Sequence, residues 1–146
     1  MQIKFVLLLG FLLTGFIYPA AAQGKVEARI SNFTNSKGVC RACLFNTAAS
    51  FNGKEGQAVQ CVQVPVNNQK AEVVFENIPA GNYAVSVFHD ANNNNKLDVN
   101  FLGIPKEGYG ASKNKLPFAA APAFADNQFA VKPNTTIQLN IRLRNL

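Results

Sequence analysis

Short segments in which apolar and polar residues strictly alternate constrain the fold of this chain more than any other feature. Lys25–Ser31 places Val26, Ala28 and Ile30 on one face, and Thr135–Leu143 repeats the pattern. Successive side chains of a strand point to opposite faces, so each segment predicts a strand with one side in the core and one in water. No segment carries the period of a convincing amphipathic helix.

About seven short strands are predicted, and turn residues separate them. They cover residues 25–31, 39–45, 58–66, 71–76, 83–88, 128–131 and 135–143. Between the fourth and fifth strands, Ile78-Pro79-Ala80-Gly81 predicts a tight turn that pairs the two strands antiparallel, with Gly81 free to take a positive φ. The pattern favours an all-β, immunoglobulin-like antiparallel β-sandwich.

The beginning of the chain has the character of an export signal. Lys4 precedes an apolar core over Phe5–Ile17, and Ala20-Ala21-Ala22 offers a cleavage site of small residues. We therefore predict a signal peptide over residues 1–22 and a single domain over residues 23–146. The apolar core is short for a membrane span, and no transmembrane segment is expected after cleavage. The expected location is periplasmic or extracellular.

Charge argues against nucleic acid as a partner. Without Lys4, the 14 basic residues of the chain become 13 against 8 acidic ones, a net charge of +5. The basic residues are dispersed along the chain and do not form a basic face interleaved with stacking aromatics. A solvated cationic surface is predicted, with weak attraction to anionic polymers or membranes.

Three cysteines in an exported chain predict one disulfide and one remaining thiol. Because Arg41 should face water, strand alternation places Cys43 on the outer face and Cys40 inside; Cys61 is outer by the same argument. This parity favours Cys43–Cys61 with Cys40 as a buried thiol. Cys40–Cys61 is the alternative, and Cys40–Cys43 within one strand is geometrically poor.

The most distinctive motif follows the strand 83–88. Oxygen-bearing groups recur there at relative positions 1, 3, 5, 7 and 9, in the order of a calcium loop: Asp90, Asn92, Asn94, the carbonyl of Lys96, and Asp98. Asn95 would replace the loop glycine, because asparagine tolerates the left-handed conformation. The sequence thus predicts a calcium site with roughly 10⁻⁴–10⁻³ M affinity.

Two features of the motif leave an alternative open. The twelfth position holds Phe101 where a bidentate glutamate is expected, so Glu107, Asp126 or water would have to complete the shell. The same side chains could instead make Asx-type bonds to backbone N–H groups and hold the loop without an ion.

Residues 89–127 show no sustained period and predict one long ordered loop, a kind of segment that is usually functional or ordered by a ligand. Within it, Ile104 and Tyr109 are expected to tuck against the end of the sandwich. Phe118 and Phe124, with Phe129 beyond the loop, are expected to form a satellite core beneath it.

A long motif extends through this loop, and the residues that carry it are Gly81–Asp90, Asn92, Asn94, Lys96–Asp98, Asn100–Gly110, Pro122–Asp126 and Phe129. It resembles a family of secreted bacterial proteins known only as domain of unknown function 2141. Val74–Val85 also resembles the strand–turn–strand of transthyretin-like and carboxypeptidase-regulatory sandwiches. The chain departs from the family pattern at Asn93 and Asn95, where Glu or Gly is commoner, and at Ala111–Lys113, where an aromatic usually follows the glycine. The resemblance implies a β-sandwich and export, and no activity.

Two functions from different classes follow. The first is a non-enzymatic exported module, a binding or structural protein of the bacterial envelope whose partner is an envelope protein or a glycan. The second is a small hydrolase of transthyretin-related type using His89, the only histidine. Neighbours along a strand face opposite ways, so Asp90 is poorly placed to orient His89. A histidine that hydrogen-bonds the long loop is therefore the favoured interpretation, and no enzyme is expected.

Overall fold

The structure, a computed structural model, describes residues 22–146. Residues 1–21 of the predicted signal peptide lie outside this range. The described chain forms eight strands and two four-residue helices: β1 (Gly24–Ser31), β2 (Val39–Phe45), α1 (Ala48–Phe51), β3 (Gln60–Pro65), β4 (Lys70–Ile78), β5 (Gly81–Asp90), β6 (Tyr109–Ala111), α2 (Phe124–Asn127), β7 (Phe129–Val131) and β8 (Thr136–Arg142).

The strands form two sheets, which confirms the predicted all-β sandwich. The first sheet has the order β4-β1-β8, and the second has the order β3-β2-β5-β6 with β7 also paired to β5. All pairs are antiparallel except β1–β8, which runs parallel from Lys25↔Thr136 to Ser31↔Arg142. The first and last strands therefore lie side by side in the same direction, and the chain leaves β8 at the end of the sandwich where β1 finishes.

The core lies between the sheets and follows the predicted alternation. Val26, Ala28 and Ile30 of β1 are at most 1% exposed, and Leu44 of β2 and Phe75 of β4 are fully buried. Burying a side chain of this size stabilises the fold by about 1.5–3 kcal/mol relative to leaving it in water. The inner residues of both sheets form one continuous cluster, so the sandwich is a rigid base for the loops at its ends.

The predicted hairpin between the fourth and fifth strands is wrong. β4 pairs with β1 in the first sheet, while β5 pairs with β2 in the second, so residues 78–81 carry the chain from one sheet to the other. Ile78 and Tyr83 are both buried, and the Tyr83 hydroxyl donates to the Pro79 carbonyl at 2.9 Å, which closes the crossover. Asn77, rather than Gly81, takes the positive φ, at 58°. The turn residues correctly predicted a bend at residues 78–81, but they did not predict that the next strand, β5, pairs with β2.

The segment 89–127 is less irregular than predicted. β5 continues to Asp90, β6 pairs with β5 over Ser86–Phe88, and α2 lies just before β7. β6 has only three residues, and the central one is Gly110. Such a short strand contains no alternating pattern that the sequence could reveal. Within residues 22–146 no helix has the length and apolar character needed to cross a membrane.

Candidate functional site

The predicted calcium-loop motif, residues 90–98, is called the oxygen-rich loop below. It begins at the end of β5, where pairing with β2 sets Asp90 opposite Val39. Asp90 is completely buried, whereas residues 92–96 are exposed. Gly38, in the turn before β2, has φ +66°, and a Cβ there would collide with the Asp90 carbonyl. Only glycine allows the turn to pack against the base of the loop this closely. The sandwich therefore holds the first residue of the motif and leaves the others on the surface.

The Asp90 carboxylate is the anchor of the loop. Its Oδ1 accepts the backbone N–H of Asn94 at 3.0 Å, and its Oδ2 accepts the backbone N–H of Asn95 at 2.9 Å. Oδ2 also accepts the Arg41 Nε–H at 2.6 Å, and Arg41 Nη2 donates to Asn95 Oδ1. Burial alone would raise the pKa of Asp90. The bonds from Arg41, Asn95 and Asn94, together with the Arg41 charge, outweigh burial and hold that pKa below its ordinary value.

The asparagines that follow make a ladder of Asx bonds. Asn92 Oδ1 accepts the Asn94 N–H at 3.2 Å, and Asn94 Oδ1 accepts the Lys96 N–H at 2.9 Å. Asn95 has φ 68°, which is the left-handed conformation predicted for the sixth position. The side chains of positions 3 and 5 therefore bind backbone N–H groups two residues further on, which are the Asx-type bonds of the ion-free alternative.

Asp98 binds the side chains of the two asparagines that make these Asx bonds. Its carboxylate oxygens accept the side-chain amides of Asn92 and Asn94, at 2.7 and 2.9 Å. Of the predicted ligands, Asp90, Asn92, Asn94 and Asp98 are thus joined in one bonded network, and Lys96 enters it through its backbone N–H. In the part of the chain that the structure describes, no three His, Cys, Asp or Glu side chains converge in the manner of a metal site.

Glu107 folds back to the loop, and Asp126 does not. Glu107 Oε1 accepts the Ala91 N–H and Oε2 accepts the Asp98 N–H, each at 3.0 Å, so one carboxylate joins the two ends of the motif. Asp126 lies in α2 and is exposed, and Phe101 at the twelfth position is 94% exposed. Sequence spacing could not choose between the two acids, because the choice depends on β6 returning Glu107 to the end of β5.

The loop oxygens keep capacity for a cation. Asp90 Oδ2 already accepts two donors, but Asp90 Oδ1, the Asn92 and Asn94 amide oxygens and the Glu107 oxygens each accept one. A carbonyl or carboxylate oxygen has two lone pairs, so each of these retains one. Oxygen ligands of this kind suit calcium. Asp98, the last of the predicted ligands, is bound by the side-chain amides of Asn92 and Asn94.

The cysteines are arranged as strand parity predicted. Cys43 and Cys61 are directly opposite in the β2–β3 pair and form a disulfide, with their Cα atoms 4.1 Å apart. Cys61 faces solvent, while Cys40 is a fully buried free thiol. Burial raises the pKa of the Cys40 thiol to about 12, which leaves it almost entirely un-ionised at neutral pH and unsuited to act as a nucleophile.

His89 is buried beneath the turn before β2. Only 1% of it is exposed, its Nε2–H donates to the Lys37 carbonyl at 2.7 Å, and its ring lies edge-on to Phe33 with 5.0 Å between ring centroids. The side chain therefore binds the β1–β2 turn and not the long loop, which only its backbone N–H reaches, through Gly108. In this position the imidazole joins the turn to the start of the loop.

An open apolar groove of about 760 Å³ lies beyond the oxygen-rich loop. It is lined by residues between Leu97 and Pro105, by Tyr109, by residues 118–122 and by Leu146. The expectation that Phe118 belongs to a satellite core is wrong, because its side chain is 94% exposed. Ile104 is also 42% exposed rather than tucked in, while Phe124 and Phe129 are half-buried.

The position of Phe118 follows from buried polar side chains that sequence reasoning missed. Asn127, fully buried, bonds the backbones of residues 113, 115 and 123, and the Ser112 hydroxyl joins the Asn127 carbonyl to the Val85 N–H. Arg144 donates to the carbonyls of residues 116 and 117 at 2.7 and 2.8 Å. The segment is thus held by its backbone, which leaves Phe118 to project into solvent. An asparagine after an acidic residue gives no local signal of this role.

The comparisons with known proteins give a family and no activity. No curated protein and no solved structure matches the chain. One family model, described as an uncharacterized protein conserved in bacteria (DUF2141), matches residues 28–138, which include β2 to β7, parts of β1 and β8, the oxygen-rich loop and most of the groove. The chain therefore belongs to this bacterial family of unknown function, as the motif through residues 81–129 predicted.

Proposed function

We propose that this protein is an exported, non-enzymatic binding module of the bacterial envelope, and that it binds its partner with the loop end of the sandwich. The observation that carries the proposal is the open groove at that end, which is lined by Phe118 with 94% of its surface exposed; Phe101, next in the chain to the groove-lining Leu102, is exposed to the same extent. Large exposed apolar patches are uncommon on monomeric proteins and mark interaction surfaces. A rigid sandwich that presents a hydrogen-bonded loop suits binding more than chemistry.

Calcium is proposed as the ion that orders this end. Asp90, Asn92, Asn94, the Lys96 carbonyl and Asp98 are the proposed ligands, and Glu107 takes the place of the missing twelfth-position glutamate. The positions of these carboxylates and amides around one loop support the proposal. When bound, the ion would supply positive charge to a loop that holds three carboxylates. The chain itself supplies the shape, because Arg41 and the backbone N–H groups already orient Asp90.

The alternative function, a hydrolase based on His89, has less support. The imidazole is 1% exposed and its Nε2–H is engaged with a backbone carbonyl, so substrate would reach it only after the turn had moved. A general base must lie within hydrogen-bond reach of the proton it removes. We therefore propose a positioning role for His89 in the fold and none in turnover.

Thermal unfolding of the mature protein with and without calcium tests the proposal. With a dissociation constant of about 1 mM, calcium at about 10 mM stabilises the folded state by about 1.4 kcal/mol. For a domain of this size that raises Tm by about 5 °C. Magnesium should raise it less, because magnesium demands a tighter octahedral shell.

Asp98→Asn should abolish the calcium-dependent rise, because it removes the carboxylate that the ion is proposed to engage. Asp126→Asn is the matched control, since this exposed aspartate in α2 lies outside the loop, and it should keep the full rise. An unchanged Tm in the unsubstituted protein at about 10 mM calcium would refute the calcium part of the proposal. A rise that survives in Asp98→Asn would place the ion elsewhere.

A further inference from the structure

The groove lies at one defined end of the sandwich. β1 and β8 run parallel, so Gly24 lies beside the start of β8 while Leu146 follows its end. Eight residues of strand span about 25 Å. Leu146 lines the groove, and the chain therefore enters β1 at the opposite end of the domain.

Large apolar side chains are exposed at the groove: Leu102, Phe118 and Leu146 line it, and Phe101 precedes Leu102 in the chain without lining it. Phe101, which follows the oxygen-rich loop, and Phe118, on the opposing segment, are each 94% exposed. Leu102 is 67% exposed and Leu146 is 62% exposed. Hydrogen bonds between side chains and the backbone hold both segments in place: Asn100 Oδ1 accepts the N–H groups of residues 102 and 104, and Arg144 donates to the carbonyls of residues 116 and 117. Rigid segments thus present large apolar side chains to the solvent.

Four exposed lysines lie close in the chain to these apolar side chains. Lys96 and Lys106 flank the groove-lining run 97–105, and Lys113 and Lys115 precede Phe118; all four lysines are exposed. None of them takes part in an ion pair among residues 22–146, where the pairs are Lys25–Glu27, Arg29–Glu72 and Arg41–Asp90. The nearby carboxylates of Asp98 and Glu107 are turned into the loop, where N–H groups bind them.

From this combination we infer that the partner at the groove end is the surface of an anionic lipid bilayer. The inference rests on the proposed function only in taking the groove end as the binding surface. Phe101 and Phe118 enter the interface between headgroups and acyl chains, and the lysines contact anionic headgroups. Apolar insertion and lysine attraction are the two additive contributions by which peripheral proteins bind membranes. A glycan would need several polar partners beside the aromatic rings, and among the residues that line the groove only Tyr109 carries a polar side chain.

Fluorescence gives a direct test, because the chain contains no tryptophan. Phe118→Trp places a single reporter at the proposed interface, and Val74→Trp places one at a 38% exposed site on β4 that does not line the groove. Vesicles of phosphatidylglycerol mixed with phosphatidylcholine should shift the emission of the Phe118→Trp protein to the blue. They should leave the Val74→Trp emission unchanged, and vesicles of phosphatidylcholine alone should bind much more weakly.

Vesicle co-sedimentation measures the contribution of each group of residues. Phe101→Ser with Phe118→Ser should weaken partitioning by at least about tenfold, because two apolar anchors are lost. Lys96→Gln and Lys106→Gln should each weaken it by about fivefold, and salt should have less effect on these variants. Val59→Ser removes exposed apolar surface outside the groove and should change nothing. Both phenylalanines are almost fully exposed, so their replacement should leave the unfolding transition in place.

Absence of binding to the phosphatidylglycerol vesicles overturns the inference and leaves an apolar surface of an envelope protein as the occupant. Binding that survives loss of both phenylalanines overturns it as well. The same sedimentation in calcium and in chelator separates it from the proposed function. Equal vesicle binding in calcium and in chelator supports the membrane inference and shows that calcium plays no part in membrane binding. A calcium-dependent rise in Tm without vesicle binding supports the calcium site and overturns the membrane inference.

Discussion

Asp90→Asn is the substitution that best tests how the loop is held to the sandwich. The carboxylate is completely buried and accepts three donors: the N–H groups of Asn94 and Asn95 and the Nε–H of Arg41. Asparagine has nearly the same shape but only one oxygen. Its amide nitrogen would therefore face a donor wherever the second carboxylate oxygen now accepts one, and the Arg41 charge would lose its counter-ion.

The expected cost follows from these contacts. Breaking a buried ion pair by removing one partner costs about 3–5 kcal/mol, and an unsatisfied buried donor costs about 1–3 kcal/mol. The Arg41 side chain is 21% exposed and recovers part of its hydration, so we expect a value at the lower end, about 3 kcal/mol. For a domain of this size that lowers Tm by about 10 °C.

Urea unfolding of the unsubstituted protein and of Asp90→Asn as a function of pH measures the effect. The pKa of Asp90 is lowered in the folded state, so its charge contributes stability that is fully present above the unfolded pKa near 4 and is lost as pH falls through the folded pKa. The difference between the two proteins should be constant around neutral pH and should shrink below about pH 4.

A double-mutant cycle with Arg41→Gln isolates the pair. The double variant should be less destabilised than the sum of the single ones, because removing both charges leaves none buried alone. Glu72→Gln is the control, since its pair with Arg29 is 3.6 Å long and both side chains are exposed, and it should cost less than about 1 kcal/mol. Two results would show that the Arg41–Asp90 pair does not hold the loop: a loss of stability below about 1 kcal/mol for Asp90→Asn, or a double variant whose loss equals the sum of the two single losses.

Two further predictions concern His89 and the cysteines. His89→Ala should lower the free energy of unfolding by about 2–4 kcal/mol, through the lost bond to Lys37 and the cavity beside Phe33; a catalytic histidine would instead leave thermal unfolding unchanged and abolish a measured hydrolysis. Replacing Cys43 and Cys61 together by serine should cost about 3 kcal/mol in denaturant unfolding, because the bridge closes a loop across 18 residues; a loss below about 1 kcal/mol would mean that the unfolded chain is already restricted there.

Much of the fold was predictable because strand faces are encoded locally. The alternation of Val26, Ala28 and Ile30 predicted which side of β1 is buried, and the same parity predicted Cys43–Cys61 with Cys40 inside. In both cases the period of two residues converts sequence position directly into side-chain direction. No contact between distant residues has to be known for that conversion.

The pairing of strands was less accessible. The turn at residues 78–81 was recognised, yet β4 and β5 belong to different sheets, and β8 lies parallel to β1. A turn determines the direction in which the chain leaves a strand. Which strand it then meets depends on how apolar faces far apart in the sequence are buried together, a property of the whole domain.

In the candidate site, too, some features follow from the local sequence and others depend on the tertiary structure. By itself, the sequence determined the loop oxygens and their order, because Asx bonds and the left-handed Asn95 are made within a few residues. Only the tertiary structure decided that Arg41 pairs with Asp90, that Glu107 rather than Asp126 returns to the loop, and that Phe118 faces solvent. These three outcomes depend on which buried polar groups find partners across the sandwich, and free energy rather than spacing selects those partners.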